Sequence, residues 1–366
     1  MLNTNDFYAA LVKCGMNMFC GVPDSLLKEL CACITDKADL KHNIIAANEG
    51  NALAIAAGHY LATGKPAVVY MQNSGQGNIV NPLLSLTDEE VYNIPALLII
   101  GWRGEPNVHD EPQHIKQGKL TIPLLETMGI EYEILEDVSQ VAKAYTYMKQ
   151  TNKPFALVVK KGTFEEYPNK PEKQKKYSLG REEAIQTIVS LMDSSDIVIS
   201  TTGMISRELY ENRISHEKDF LTVGSMGHAS SIAFGVALNK PKRKVFCFDG
   251  DGAFLMHMGA AAVIASRKLS NLKHIVFNNE AHDSVGGQPT VMANVDLSKV
   301  ALGCGYKKVY QAYTLDDIKN IWSEFYNASE PCLLEVKVKS GARKDLGRPK
   351  EKPVENKQAF MRFVEN

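Results

Sequence analysis

The sequence predicts an α/β protein made of two doubly wound parallel-sheet domains. Short apolar runs alternate with helical patterns, this alternation occurs twice, and a polar segment rich in Glu, Lys and Pro separates the two series. The chain has 366 residues, of which 45% are hydrophobic, and one core seldom accommodates so many. We therefore expect an α/β domain at residues 1–165, a linker at 166–180, a second α/β domain at 181–340 and a C-terminal tail at 341–366.

The first domain contains strand candidates that are short, apolar and bounded by turn residues. They are Met18–Val22, Asn43–Ala47, Ala67–Gln72, Ala96–Gly101, Tyr132–Leu135 and Pro154–Lys160. Helical patterns alternate with them, at Asp6–Cys14, Ser25–Ile34, Asn51–Ala62, Ile79–Leu86, Ile115–Met128 and Val138–Gln150. Because parallel strands need helical crossovers, this order predicts a sheet covered by helices.

The second domain repeats the pattern. Its strand candidates are Ile197–Ser200, Phe220–Val223, Val245–Phe248, His274–Asn278, Lys307–Tyr310 and Cys332–Val338. A continuous helix is expected at Ala253–Ser266. The tail from Lys339 is rich in Lys, Arg, Pro and Glu, and we expect it to wrap over a neighbour or to stay partly mobile.

Charge and hydropathy exclude several classes of partner. Lys plus Arg is 41 and Asp plus Glu is 42, so no bulk field attracts nucleic acid. The longest apolar run, Pro95–Trp102, is far shorter than the roughly 18 residues of a membrane helix, and Met1–Asp6 does not resemble a signal peptide. The 7 cysteines are an odd number, and Cys31 and Cys33 have no second ligand pair at metal-binding spacing. We expect a cytoplasmic protein with reduced, structural thiols.

A strand that ends in Gly250-Asp251-Gly252 and continues into a helix is the strongest indication of a ligand site. Backbone N–H groups at a helix start favour an anion such as a diphosphate. The next strand ends in Asn278-Asn279, so Asp251 and Asn279 can converge at the carboxyl edge of the sheet, where their oxygens suit Mg²⁺ or Ca²⁺. The alternative is an Asx-capped tight turn without a ligand.

Three other segments are less specific on their own residues. Glu49 lies where a strand ends and a helix of small residues begins, and the helix dipole alone explains a carboxylate there. Gly224 and Met226 belong to a Gly-rich segment that is equally explained as a turn with a core methionine. Thr202 and Gly203 end another strand and are candidate diphosphate contacts.

The Gly250-Asp251-Gly252 motif, followed after residues 253–277 by Asn278-Asn279, resembles the cofactor signature of thiamine-diphosphate-dependent enzymes. The resemblance implies that Mg²⁺ is held by Asp251, Asn279 and the backbone carbonyl of Ala281. It also implies that the diphosphate lies against the main chain of Gly250, Gly252 and Ala253.

The same resemblance implies roles for the less specific segments. Glu49 would share a proton with the aminopyrimidine N1′ of the cofactor, which requires a desolvated carboxyl group with a raised pKa. Met226 would be the apolar wedge under the bent cofactor, and the Gly224 carbonyl would accept from its 4′-amino group. In this family the cofactor lies between domains of two chains, so a homo-oligomer, at least a dimer, is implied.

No third domain lies between the two halves, so the chain is similar to the short members of this family. Further stretches resemble those members that decarboxylate 3-phosphonopyruvate: Gly21–Ser25, Gln72–Asn78, Gly101–Pro106, Asp110–His114, His282–Thr290 and Asp345–Pro349. The resemblance implies conversion of 3-phosphonopyruvate to phosphonoacetaldehyde and CO₂, in phosphonate biosynthesis. The alternatives are decarboxylation of sulfopyruvate or another 2-oxoacid, and a non-catalytic nucleotide- or anion-binding regulator.

A basic loop of the first domain supplies candidates for binding the phosphonate, although each could be a solvated surface charge: Arg103, His109, His114 and Lys116. Candidate proton-transfer groups are Asp24, Ser25, His282 and Asp283. Glu280 departs from the family pattern, in which we expect a smaller residue. Its carboxylate either alters the affinity for the metal or points to solvent.

Overall fold

The structure, a computed structural model, describes residues 1–169 and 176–365. The chain divides into two compact units, Met1–Glu172 and Lys173–Asn366. Each unit contains a six-stranded sheet in which all neighbouring strands are parallel. This arrangement confirms the predicted fold class.

The first unit has the strand order β2-β1-β3-β4-β6-β5. Its strands are β1 (Phe19–Gly21), β2 (Asn43–Ile45), β3 (Ala67–Gln72), β4 (Ala96–Gly101), β5 (Glu131–Ile134) and β6 (Phe155–Val159). Its helices are α1 (Thr4–Lys13), α2 (Lys28–Lys37), α3 (Glu49–Thr63), α4 (Gln76–Pro82), α5 (Pro112–Thr127) and α6 (Gln140–Thr151). Because the chain turns from β2 back across β1 to β3, the order reverses between β1 and β3, and open α/β sheets bind ligands at such a point.

The second unit has the order β13-β14-β10-β9-β7-β8. Its sheet strands are β7 (Ile197–Ser200), β8 (Asp219–Leu221), β9 (Val245–Gly250), β10 (Leu272–Asn278), β13 (Lys308–Ala312) and β14 (Cys332–Lys337), and β11 (Ala281–His282) pairs with β12 (Gln288–Pro289). Its helices are α7 (Arg181–Leu191), α8 (Met204–Asn212), α9 (Ala229–Asn239), α10 (Asp251–Met256), α11 (Gly259–Ser266), α12 (Leu297–Cys304), α13 (Leu315–Asn327) and α14 (Pro353–Glu365). The order reverses between β7 and β9.

Each sheet has an apolar core on both faces, because alternate side chains of a strand point to opposite sides. In β4, Leu97 and Ile99 pack into one cluster, whereas Leu98 and Ile100 pack into the other. Every residue of β4 is buried. A strand covered on both faces reads as a continuous apolar run, which is why β4 is so clear in the sequence.

The helix expected at Ala253–Ser266 is interrupted in the structure. Helix α10 ends at Met256, His257 leaves the helical conformation with φ −132°, and α11 begins at Gly259. Glycine is a poor residue for a helix interior, so a helix start at Gly259 agrees with its weak helical propensity.

Part of the expected linker 166–180 belongs to the folded units, and residues 170–175 lie outside the described residues. The Tyr167 N–H donates to Glu29 at 2.8 Å and its hydroxyl to Asp36 at 2.5 Å, within the first unit. Leu179 is buried in a core of the second unit. The polar composition of this segment therefore did not indicate that Tyr167 and Leu179 are buried.

The tail beyond residue 340, which we expected to wrap over a neighbour or to stay partly mobile, ends in helix α14, and this helix packs on its own unit. Helix α14 contacts the edge strand β8 and buries Phe360. The side-chain amide of Asn356 donates to the Asp219 carbonyl at 2.8 Å and accepts from the Leu221 N–H at 3.2 Å. These contacts satisfy backbone groups on the free side of β8.

Two broader expectations concern membrane and redox context. Among residues 1–169 and 176–365, no helix combines the length and apolarity needed to cross a bilayer. All seven cysteines are free, and five of them are buried.

Candidate functional site

The Gly250-Asp251 turn lies where the strand order of the second unit reverses. β9 ends at Gly250 and α10 begins at Asp251. Asp251 is only 2% exposed, and burial raises the pKa of its carboxyl group to about 7. The Thr290 hydroxyl donates to Asp251 Oδ2 at 2.5 Å. An oxygen ligand is therefore buried at the place where α/β sheets bind ligands.

Below this turn, a buried polar chain supports the end of β9. Asp249 accepts the Gly250 N–H at 2.9 Å, its other oxygen lies 3.4 Å from His274 Nε2, and His274 Nδ1 is 2.9 Å from the Tyr306 hydroxyl. Cys247, which lies two residues before Asp249 on β9, is buried beside Asp249 and His274. A satisfied polar chain in an apolar core fixes the backbone that leads into Asp251.

The loop after β10 presents the second candidate metal ligand. Asn279 Nδ2 donates to Asp283 Oδ2 at 2.7 Å, and the Ala281 N–H donates to Asn279 Oδ1 at 3.1 Å. Asp283 Oδ2 also accepts from Arg181 Nη1 and from the Gly341 N–H, each at 2.9 Å. Three donors converge on this one carboxylate oxygen and fix its position, so Asp283 is suited to orienting Asn279.

Glycines bring the remaining candidate residues of this unit together. A Cβ on Gly252 would lie 3.0 Å from His282 Cε1 and 3.2 Å from Met226 Cε, so both side chains border this glycine. Gly203 has a φ of +96°, and a Cβ there would lie 2.7 Å from the Ser284 hydroxyl. The Gly224 N–H donates to the Thr202 hydroxyl at 3.0 Å. Ala253 follows in the first turn of α10 and is buried.

The donor set of this edge fits Mg²⁺ and a diphosphate. Asp251 and Asn279 offer the hard oxygen atoms that Mg²⁺ prefers. Within the described part of the chain, the buried Thr201 hydroxyl and Asp283 Oδ1 have no hydrogen-bond partner, and a bound polar ligand would supply one. Gly250, Gly252 and Gly203 add no side chain of their own at this edge, which favours close approach of an anion to the main chain.

His282 is a neutral imidazole at pH 7. The ring is half-buried against Gly252, and desolvation lowers its pKa to about 4. A neutral imidazole can donate one hydrogen bond and accept another.

In the first unit, Glu49 is the first residue of α3 and is 5% exposed. Burial raises the pKa of its carboxyl group, and a hydrogen bond from Asn78 Nδ2 to Glu49 Oε2, at 2.6 Å, opposes this shift. A Cβ on Gly75 would lie 2.4 Å from Glu49 Oε1, so the backbone after β3 packs directly on the carboxyl group. Glu49 therefore has the desolvated environment expected of a proton-sharing carboxyl group.

A second carboxyl group is buried where the strand order of the first unit reverses. Asp24 follows β1 and is fully buried, and desolvation raises its pKa. Gln72, at the end of β3, donates to Asp24 Oδ1 at 2.6 Å, and the Leu26 N–H donates to Asp24 Oδ2 at 3.0 Å. A Cβ on Gly101 would lie 2.2 Å from Asp24 Oδ2, so three strand ends enclose this group.

Arg103 is the candidate basic residue that is best placed to bind an anion. Its Nε donates to Asp110 Oδ2 at 2.8 Å, its Nη2 donates to Asp110 Oδ1, and its Nη1 donates to the Ser25 hydroxyl at 2.8 Å. Three of the five N–H groups of a guanidinium are thereby used, which leaves two for a ligand. Arg103 and Ser25 thus meet beside Asp24.

The other basic candidates differ in charge and exposure. His114 is buried, and desolvation together with the nearby Arg103 charge lowers its pKa to about 4. The structure therefore offers His114 as a neutral hydrogen-bonding group and not as the cation expected from the sequence. Its Nδ1 is buried without a partner. His109 and Lys116 are exposed.

Several residues that hold the site had no assigned role in the sequence reasoning. Asn78, Gln72, Asp110, Thr290 and Arg181 each bond directly to a candidate functional residue. All but Arg181 lie in stretches that resemble the family, or directly after strands, so a signal for them was present. Arg181 begins α7, far along the chain from Asp283, and only the tertiary fold reveals its role.

Comparison with known proteins identifies both units. Residues 3–122 match the thiamine pyrophosphate enzyme N-terminal TPP binding domain, and residues 201–336 match the C-terminal TPP binding domain of that family. Phosphonopyruvate decarboxylase of Streptomyces viridochromogenes is 33% identical over 100% of this chain and 95% of its own length. The enzyme of the same name from Streptomyces hygroscopicus is 34% identical over 100% and 94%. Sulfopyruvate decarboxylase of Methanosarcina acetivorans is 28% identical over 96% and 94%.

Proposed function

The chain belongs to the family of thiamine pyrophosphate enzymes, and from that premise we propose that it decarboxylates 3-phosphonopyruvate to phosphonoacetaldehyde and CO₂, with thiamine diphosphate and Mg²⁺. The observation that carries the proposal is that each unit contains a buried candidate carboxyl group with a raised pKa. Glu49 is buried with a raised pKa in one unit, and Asp251 is buried beside Asn279 in the other. A protein that only bound a diphosphate through a metal ion would need Asp251 but would have no use for Glu49.

In this proposal Asp251, the Asn279 side chain and the Ala281 carbonyl hold Mg²⁺, and the turns at Thr202-Gly203 and Gly250–Ala253 hold the diphosphate. The charge of a bound Mg²⁺ favours the ionised form of Asp251, which burial alone disfavours. When bound, thiamine diphosphate supplies an electron sink for the pair of electrons left when CO₂ departs. Met226 and Gly224 line the same edge, beside Gly252 and Thr202.

Glu49 is proposed to hold the proton that is exchanged with the aminopyrimidine. A buried carboxyl group with a raised pKa gives and takes a proton more readily near neutral pH than an exposed one. Asn78 fixes one carboxyl oxygen through its hydrogen bond, and the Gly75 backbone packs on the other. These contacts fix the orientation of the carboxyl group.

Arg103 is the proposed partner of the phosphonate, because a guanidinium donates to a tetrahedral anion through several N–H groups. Asp110 orients the guanidinium, and Ser25 lies beside it. Asp24, whose raised pKa favours the protonated acid, is the proposed group that returns a proton to the product carbon. The neutral His282 is the alternative, and it would relay a proton by accepting one at one ring nitrogen while it gives one from the other, with Ser25 and Asp283 as candidates in hydrogen-bonding roles. The other proposed substrate-binding residues are the exposed His109, in the loop after β4, and the neutral His114 and exposed Lys116, which the structure places in the first turns of α5.

The deciding experiment measures CO₂ release and aldehyde formation from 3-phosphonopyruvate by metal-stripped protein, with and without thiamine diphosphate and Mg²⁺. We expect turnover only when both are added, and none for Glu49→Gln. Glu324→Gln, which alters an exposed carboxylate paired with Lys308, is the matched control and should retain activity. Cofactor binding with no turnover of any 2-oxoacid would refute the proposal and favour an anion-binding regulator.

Sulfopyruvate is the second candidate substrate, because a full-length relative carries the name sulfopyruvate decarboxylase. A sulfonate and a phosphonate are both tetrahedral anions that Arg103 could bind. Assays with phosphonopyruvate, sulfopyruvate and pyruvate at equal concentrations distinguish the two, and a higher kcat/KM for sulfopyruvate would replace the proposed substrate.

The proposed active species is a homo-oligomer of at least two chains. Sedimentation velocity on the cofactor-loaded enzyme, at the concentration used for the assay, should show a species of at least twice the mass of one chain. A fully active monomer would contradict this part of the proposal.

A further inference from the structure

We propose that Glu280 is a positioning residue for the metal-binding loop and that Tyr177 and Lys176 hold it in place. The inference rests on the proposed function, because it concerns the loop assigned there to Mg²⁺. Glu280 lies between the proposed ligands Asn279 and Ala281. It is the residue at which the sequence departs from the family pattern.

The backbone of Glu280 adopts a left-handed conformation, with φ +57°. Residues with a side chain seldom adopt this conformation, because the Cβ approaches the backbone, whereas glycine adopts it freely. The loop therefore needs the positive φ, and the sequence places a glutamate where glycine would be less strained. A strained residue at a functional loop is expected only when other contacts hold it.

The side chain of Glu280 supplies those contacts. The residue is 8% exposed, and its Oε1 accepts from the Tyr177 hydroxyl at 2.7 Å and from Lys176 Nζ at 2.9 Å. The Tyr177 ring is itself fixed, with Lys337 Nζ 5.8 Å and the Tyr313 ring 6.4 Å from its centre. The carboxylate is thus anchored to the segment that begins the second unit.

The main chain of Glu280 joins the proposed ligands Asn279 and Ala281 and connects this anchor, through Thr290, to Asp251. Its carbonyl accepts the Thr290 N–H at 2.9 Å, and the Thr290 hydroxyl donates to Asp251. Its N–H donates to Asn278 Oδ1 at 3.1 Å. Releasing the carboxylate would free the turn between Asn279 and Ala281, whose oxygens must point to one ion. Glu280 acts through those neighbours and does not itself bind the metal in this proposal.

The test measures binding of Mn²⁺, a paramagnetic substitute for Mg²⁺, to full-length protein with thiamine diphosphate, by the EPR signal of the free ion. Glu280→Ala removes the anchor and keeps the strained Cβ, so we expect the affinity for Mn²⁺ to fall about 10-fold or more, as is usual when a residue that orients a metal ligand is removed. Glu280→Gly also removes the anchor but adopts the positive φ freely, so its loss should be smaller. Tyr177→Phe, which loses one hydrogen bond, should weaken affinity about two- to tenfold.

Lys268 provides the matched control, because it also has a positive φ, +52°, in an exposed position outside the metal loop. Lys268→Gly should leave Mn²⁺ affinity unchanged, and unfolding midpoints of all variants distinguish lost affinity from lost folding. Equal Mn²⁺ affinity in wild type, Glu280→Ala and Tyr177→Phe would overturn the inference and leave the proposed function standing. A wild-type protein that binds no Mn²⁺ with the cofactor would overturn both.

Discussion

At the scale of single residues, the ionised forms of the buried carboxyl groups of Asp24, Glu49 and Asp251 oppose stability, because desolvation disfavours them and raises their pKa. Glu49 illustrates the sign of the effect. Its pKa is raised in the folded state, so between the ordinary pKa of a glutamate and this raised value the folded chain holds a proton that the unfolded chain has lost. Stability contributed by the protonated group is therefore complete below the ordinary pKa and falls as pH rises through the raised one.

Glu49→Gln should accordingly be more stable than wild type in the absence of cofactor, and the difference should grow as pH increases above about 4.3 and level off once pH exceeds the raised pKa of Glu49. The amide keeps an oxygen for the hydrogen bond from Asn78 and never ionises. Urea unfolding at several pH values between 5 and 8 measures the effect, with Glu324→Gln as the exposed control. A stability difference that stays constant or shrinks with pH would contradict the raised pKa.

Arg103 offers a second prediction at this scale. Arg103→Met should lower kcat/KM for 3-phosphonopyruvate by about 10- to 100-fold, because charge-assisted hydrogen bonds to an anion are lost. Pyruvate, which has no phosphonate, should be affected much less. Arg103→Lys should recover only part of the loss, since an ammonium lacks the planar fork that Asp110 orients.

The control for this prediction is Lys119→Met, which removes an exposed cation of helix α5 that has no proposed role in substrate binding. Steady-state kinetics on both substrates give the required ratio. Equal losses on phosphonopyruvate and pyruvate in the Arg103→Met variant would argue against a contact with the phosphonate.

At the scale of elements, the absence of a side chain at Gly118 allows α5 to lie directly against the loop after β4. A Cβ on Gly118 would lie 1.6 Å from the Gly104 carbonyl oxygen, which is a backbone atom and cannot move aside cheaply. Gly118→Ala should therefore destabilise the protein by about 1–3 kcal/mol, the usual range for an overpacked site. It should also reduce activity, because Gly104 adjoins Arg103.

Gly58, within α3, is the matched control because nothing lies within 4 Å of a Cβ placed there. Gly58→Ala should raise stability by about 1 kcal/mol through helical propensity. Thermal or urea midpoints of the two variants should move in opposite directions. A neutral Gly118→Ala variant would mean that α5 can retreat from the loop.

The elements themselves could be predicted largely from sequence, because strands covered on both faces are continuous apolar runs. Contacts between distant segments could not. The anchoring of Tyr177 on Glu280 and of Arg181 on Asp283 depends on tertiary packing, and so does the break at His257. Candidate site residues at strand ends were found because parallel strands direct their carboxyl ends to one edge. The neutral state of His114 was missed, since the sequence does not show that this residue, in the first turn of α5, is buried.

At the scale of the whole molecule, ligand binding should be coupled to global stability. Thiamine diphosphate with Mg²⁺, each at about 100 times its Kd, should stabilise wild type by about 2.7 kcal/mol per site. Asp251→Asn should lose this gain while its unliganded form stays at least as stable as wild type, because a buried carboxylate is replaced by an amide. Thermal melts with and without ligands measure both. A full ligand-induced shift in Asp251→Asn would contradict the metal assignment.

The hydrogen bonds between the Asn356 side chain and the backbone of β8 affect how this protein behaves in concentrated solution. A sheet edge with free N–H and C=O groups is a template for another chain, and edge-to-edge pairing of this kind leads to aggregation. The last helix covers the β8 edge, and its Asn356 side chain supplies the donor and the acceptor that a foreign strand would otherwise provide. A chain shortened before Pro353 should consequently precipitate on storage before its catalytic constants change, which light scattering over days would detect.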